Sequence, residues 1–183
     1  MKNYFWTADT HFDHKNILKY CKRPFECTQE MNETIIENWN KKVGRQDIVY
    51  HLGDFALRNS LKYLKRLNGN IRIILGNHDH DIIRIDRSFI KQGIQNIYFQ
   101  IFPPQHEVKI KDKTIIMNHY SMRVWNKSCY GSWHVYGHSH GVLKPYGKSW
   151  DVGVDNNNFE PLALEDLFII LEKLPYNGNG GRP

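Results

Sequence analysis

Cysteine is scarce in this sequence of 183 residues: Cys21, Cys27 and Cys129 are the only three. An odd, sparse set cannot build a disulfide framework, so the chain is expected to stay reduced, in the cytoplasm, with all three thiols structural. Long apolar runs are also lacking. The longest, such as Leu167–Leu171, fall far short of the ~20 residues a membrane-spanning helix needs. No basic segment followed by an apolar stretch opens the chain, so export is not expected. Internal repeats and low-complexity tracts are missing, and so is the His-Glu-x-x-His pattern of zinc peptidases. No helix-forming segment concentrates lysine and arginine at base-reading spacing, which leaves little support for a dedicated nucleic-acid binder.

What remains is an ordinary globular composition, 40% hydrophobic and 24% charged, which excludes general disorder. The length fits one domain, taken as residues 1–175, with a flexible tail over 176–183 where Asn and Gly dominate. The net charge of +6 favours anionic partners without choosing among them. Ten histidines are the sharper clue, because imidazole is the commonest transition-metal ligand.

Apolar segments of strand length alternate with helical patterns in the first half. Strands are expected at Tyr4–Ala8, Ile48–Leu52 and Ile71–Leu75, with helices at His14–Tyr20, Thr28–Val43, Ser60–Leu67 and, shorter, Arg87–Gln92. The second half reads as strands at Ile97–Phe102, Glu107–Ile110, Thr114–Met117, His134–Tyr136 and Ser149–Val154, closed by a helix at Leu164–Leu174. A mixed α/β protein follows, with two packed sheets flanked by helices.

Five of these strands run into potential ligands: Asp9-Thr-His11, Gly53-Asp54, Gly76-Asn77-His78-Asp79, Asn118-His119 and Gly137-His138-Ser-His140. In open α/β sheets, ligands bind beyond the carboxyl ends of strands. Asp9 and His11, like His138 and His140, stand two apart, so extended backbone would point each pair one way. Each piece alone is ambiguous. Asp-x-His also opens a capped helix, and a lone strand histidine is as a rule a satisfied core residue. Three polar groups after a fully apolar strand, however, are costly to bury without purpose. The ordered set carries the specificity.

This set resembles the calcineurin-like metallophosphoesterase superfamily, and the resemblance spans Asp9 to His140. Asp151-Val-Gly-Val-Asp155 and Pro161–Leu174 are similar to small bacterial and phage members. The resemblance implies a four-layer sandwich, two mixed β-sheets flanked by helices. It also implies two divalent metal ions: Asp9, His11 and His140 would hold one, Asn77, His119 and His138 the other, and Asp54 would bridge them. Manganese is the expected ion, with iron, zinc, nickel or cobalt as alternatives. His78 would be the general acid, oriented by Asp79, and a metal-bridging hydroxide would attack a phosphoester in line.

The second motif departs from the family's Gly-Asp-x-x-Asp-Arg, because Leu57 replaces its second acid. Arg58 is either a phosphate ligand or a solvated arginine; Arg23 and His14 are further candidates to contact substrate. Tyr120, Trp125, Tyr130 and Trp133 either stack on a base or pack in the core. The expected substrate is a phosphoester, a phosphodiester before a monoester or diphosphate, with nucleotides or nucleic acid among the candidates. No membrane and no obligatory protein partner are expected. The rival reading is an idle member of the fold that serves as an interaction module. His51, His80 and His134 are assigned no role.

Overall fold

The computed structural model describes residues 2–176. All of the expected tail except Tyr176 lies outside the described residues.

Apolar alternation builds the first sheet. β1 (Tyr4–Thr7), β2 (Ile48–His51), β3 (Asn70–Ile74) and β4 (Phe99–Phe102) pair in parallel, and β9 (Leu162–Ala163) adds antiparallel to β1, giving the order β4-β3-β2-β1-β9. Successive side chains face opposite ways. Phe5, Val49, Ile71 and Ile73 therefore enter one core, while Trp6, Ile48, Tyr50 and Ile74 enter another.

Helices cover the first face. α2 (Thr28–Lys42) brings Met31, Ile35, Ile36 and Trp39 to a single stripe, the spacing of an amphipathic helix. α3 (Ser60–Leu64) contributes Tyr63 and Leu64, and α4 (His80–Gln92) contributes Ile82 and Ile85. α4 starts seven residues before the expected helix at Arg87. Ile82, Ile85 and Phe89 supply its helical spacing, hidden in the sequence behind the polar motif that ends at Asp79. α1 (Ile17–Tyr20) is only four residues long.

The second sheet, β5 (Gln105–Ile110), β6 (Lys113–Asn118), β7 (Trp133–Tyr136) and β8 (Ser149–Asp151), is mixed: β5 and β6 form a hairpin, and β6, β7 and β8 run parallel. Its Ile115, Met117, Trp133 and Val135 meet the first sheet in the second core, which α5 (Leu164–Glu172) completes with Leu164, Leu167 and Leu171. The outer face carries His134, over which Trp125 packs from the 119–132 segment. The expected sandwich of two mixed sheets with flanking helices is what the chain forms. Two details differ. β8 ends at Asp151, because Gly153 leaves to bridge Ala8 of the other sheet, and the two-residue β9 was too short to stand out in the sequence.

Candidate dinuclear metal centre

β1, β2 and β3 end together on one sheet, and β6 and β7 end together on the other. The loops beyond them interlock. Asp9 N–H donates to Gly53 O and His11 N–H to Asp54 O, both at 3.0 Å, so the ladder of β1 and β2 continues into the ligand loops. Across the sheets, His138 N–H donates to Asp9 Oδ2 at 2.8 Å. Gly137 permits that approach: a Cβ there would lie 2.7 Å from Asp9 Oδ2.

The geometry differs from the expected extended pairs. Asp9, His11, Asp54, His138 and His140 all take positive φ, a region costly for residues with a Cβ. Sharp turns, not strand alternation, therefore aim these side chains. Two donor groups result, Asp9 with His11 and His140, and Asp54 with His119 and His138. His138 and His140 thus serve different groups.

Asp54 lies between them, with Oδ2 3.6 Å from His11 Nε2 and 3.7 Å from His119 Nε2. His119 Nδ1–H donates to Leu52 O at 2.7 Å, which leaves Nε2 as an acceptor. That acceptor faces Asn77 Oδ1 at 3.2 Å, although both atoms hold lone pairs. On the other side, Asp9 Oδ1 and His11 Nε2 are buried with no hydrogen-bond partner. These two buried acceptors, left without a donor, are the arrangement a cation relieves. Carboxylate, imidazole and amide donors together suit divalent transition metals.

The electrostatics agree. Burial pushes the Asp9 carboxyl well above the usual carboxylate range, against the pull of His140. Burial and the nearby Arg23 charge hold the His11 ring neutral. His140 behaves oppositely: burial pulls its pKa down, but its bonds to Asp155 and Cys21 and the charge of Asp9 push it up to about 10. Its Nδ1 meets Asp155 Oδ2 at 2.7 Å, leaving Nε2 for the cluster.

His78 is exposed, with its ring 5.6 Å from that of His11 and its backbone N–H donating to Asp54 Oδ1 at 2.8 Å. His14 lies beside both, 5.2 Å from His11 and 6.1 Å from His78 between ring centres, and burial lowers its pKa. His11, His14, Asp54, His78, His138 and His140 share one cleft.

Three expectations are corrected. Asp79 does not orient His78, because its carboxylate accepts the backbone N–H groups of Asp54, Phe55 and Gly76 at 2.7–2.8 Å and so clamps two ligand loops together. Arg23 is not a substrate ligand. Its side chain is wholly buried, and its guanidinium grips Asp155 together with the carbonyl oxygens of Asp9 and Thr10. Arg58 is exposed and is not among the residues lining the cleft.

The aromatic group divides. Trp125 and Trp133 are core residues and Tyr130 is exposed, whereas Tyr120 donates its hydroxyl to Asn77 Oδ1 at 3.3 Å, beside the His138 ring. His51 and His134 are fully buried and stand outside the cleft. The residue that sequence reasoning missed is Asp155. Its signal lies in Asp151-Val-Gly-Val-Asp155, the stretch similar to small family members; Asp151 itself accepts from Ser139, Gly141 and Gly153.

The chain is similar to known proteins along most of its length. Residues 5–149 match the calcineurin-like phosphoesterase superfamily domain. The uncharacterized protein MJ1445 of Methanocaldococcus jannaschii is 32% identical over 185 residues, covering 94% of this chain and 93% of that protein. The gene 66 protein of Mycobacterium phage L5 is 31% identical over 85 residues, 43% of this chain and 41% of its own. In fold, the chain is similar to AQ665 from Aquifex aeolicus, with a TM-score of 0.71 and 22% identity over 93% of this chain and 100% of that one. With a family match over residues 5–149, which takes in all five ligand-bearing strand ends from Asp9 to His140, this chain belongs to the calcineurin-like phosphoesterase superfamily.

Proposed function

We propose that the chain is a dinuclear, metal-dependent phosphodiesterase acting on nucleotide-related esters, with His78 as general acid. The position of Asp54 carries the reading: one oxygen lies at nearly equal distance from a histidine of each donor group, 3.6 and 3.7 Å. A carboxylate so placed can be shared by two adjacent cations. Asp9, His11 and His140 would hold one ion, and Asn77, His119 and His138 the other, with manganese favoured. When bound, the pair would make water a nucleophile at neutral pH and offset charge on the phosphoryl oxygens.

The chain's own residues do the rest. Asp155 holds His140 by Nδ1, and Leu52 O holds His119 in the same way, so both rings present Nε2. Asp54 Oδ1 anchors the backbone of His78, whose ring stands at the cleft to give a proton to the leaving oxygen. His14 supports substrate beside it.

A diester is favoured because neither Arg23 nor Arg58 reaches the cleft. Among the described residues lining it, Lys22 is the one lysine or arginine, a poorer match for a monoester dianion than for a singly charged diester. On this reading residues 1–175 act as one domain in the cytoplasm, without an obligatory protein partner; no helix among the described residues is long and apolar enough to cross a membrane.

The test strips metal, restores Mn²⁺, and compares an aryl phosphodiester with the aryl monoester. We expect Mn²⁺-dependent diester turnover that His78→Ala lowers by about 10²–10⁴-fold. Preference for the monoester would move the chain to phosphomonoesterases. Turnover of neither ester by protein holding two metals would favour an interaction module.

A further inference from the structure

Residues 17–23 overhang the cleft as a rim fixed at both ends. Helix α1 has four residues, too few to persist by itself. Ile17, at 3% exposure, roots its start in the core beside the helices. Arg23, at 5%, roots the other end through bonds to Asp9 O, Thr10 O and Asp155. The rim is therefore tied to the same backbone that presents Asp9 and His11.

Between these anchors the chain leaves a large aromatic uncovered. Tyr20 is 71% exposed, yet its ring stands edge-on to His14 at 6.3 Å and lines the cleft that holds the donor groups. The loop after His140 adds Val142, 84% exposed and lining the same cleft. Lys22 completes this wall. The cavity measures about 810 Å³, within the range of sites that enclose a whole organic ligand. A phosphoryl group at the donor clusters would leave most of it empty, with Tyr20 and Val142 touching nothing. Tyr120 does not line this cavity, and its hydroxyl is already committed to Asn77.

We propose that Tyr20, Val142 and Lys22 form a subsite for the nucleoside arm of the phosphodiester. Tyr20 stacks on the base, Val142 covers it, and Lys22 meets one further anionic group on that arm. An exposed aromatic on an anchored rim suits this task, because every base offers a π-face. The subsite rests on the phosphodiesterase reading for the place of the phosphate, and goes beyond it in naming the residues that choose the substrate.

Calorimetric titration of the metal-loaded protein tests it, with inorganic phosphate and thymidine 5′-monophosphate as probes. The wild type should bind the nucleotide more tightly by about tenfold or more. Tyr20→Ala should bring the ratio of the two dissociation constants close to one, and Tyr20→Phe should keep it. Equal affinities in the wild type, no nucleotide binding at millimolar concentration, or a ratio that Tyr20→Ala leaves intact would each overturn the subsite. The two readings fail separately. Nucleotide selectivity in a protein that cleaves no ester removes the hydrolase and keeps the subsite; cleavage of simple aryl diesters without nucleotide selectivity does the reverse.

Discussion

Arg23 and Asp155, 132 residues apart in sequence, form a two-pronged ion pair, Nε to Oδ1 and Nη2 to Oδ2, both at 2.7 Å. The pair sits behind the cleft. Asp155 also takes Nδ1 of His140, so a single carboxylate ties the rim at residue 23 to a histidine of the candidate metal centre.

Removing one partner of a buried pair leaves the other uncompensated. Arg23→Ala should therefore destabilise the fold by about 3–5 kcal/mol, read from urea unfolding. Arg23→Lys keeps the charge but not the fork, and should recover only part of the loss. An unchanged midpoint in Arg23→Ala would remove the anchoring role.

Asp155→Asn tests the link to the metal. The amide can still accept from His140 Nδ1 but no longer carries charge, so the ring becomes a weaker donor. Metal affinity should fall by about 10–100-fold at one of two sites, measured by competition with a chelator. Equal loss at both sites would point instead to general damage.

Asp79→Asn distinguishes clamping from catalysis. Three backbone N–H groups meet this carboxylate, and an amide cannot accept them all. One buried donor left unpaired costs about 1–3 kcal/mol, visible in thermal unfolding. If Asp79 instead tuned His78, stability would hold and the pH profile of turnover would move.

Stability should also fall in mild acid. Burial lowers the pKa of His134 to about 4 and that of His51 to about 3, below the ~6.5 of an unfolded histidine. Between these values the unfolded chain binds protons that the folded chain does not. Their stabilisation is complete above about pH 6.5 and is lost as pH drops towards 4, at about 1.4 kcal/mol per unit for each ring. Urea unfolding from pH 7 to pH 4 reads the slope, and His134→Gln should make it shallower. An identical slope in the variant would exclude His134.

Much of this was legible from sequence. The strands before Asp9, Asp54, Asn77, His119 and His138 announced themselves as short apolar runs, and helical patterning over Thr28–Val43 marked α2. Weak local signals hid the remainder. The start of α4 hid behind the three polar residues Asn77, His78 and Asp79, and β9 needed β1 as a partner before two residues could form a strand.

The sequence by itself determined the donor types, their order and their placement after strands, because apolar periodicity and polar motifs are properties of short segments. Tertiary structure alone decided that Asp54 stands between two donor groups, that Arg23 turns inward to Asp155, that Asp79 clamps loops and that Tyr20 faces the cleft. Those outcomes depend on which oxygen meets which nitrogen between segments as far apart as Asp9 and His138, 129 residues distant. Positive φ at five ligand positions sets the aim of each side chain, and only the packed sheets can hold the backbone there.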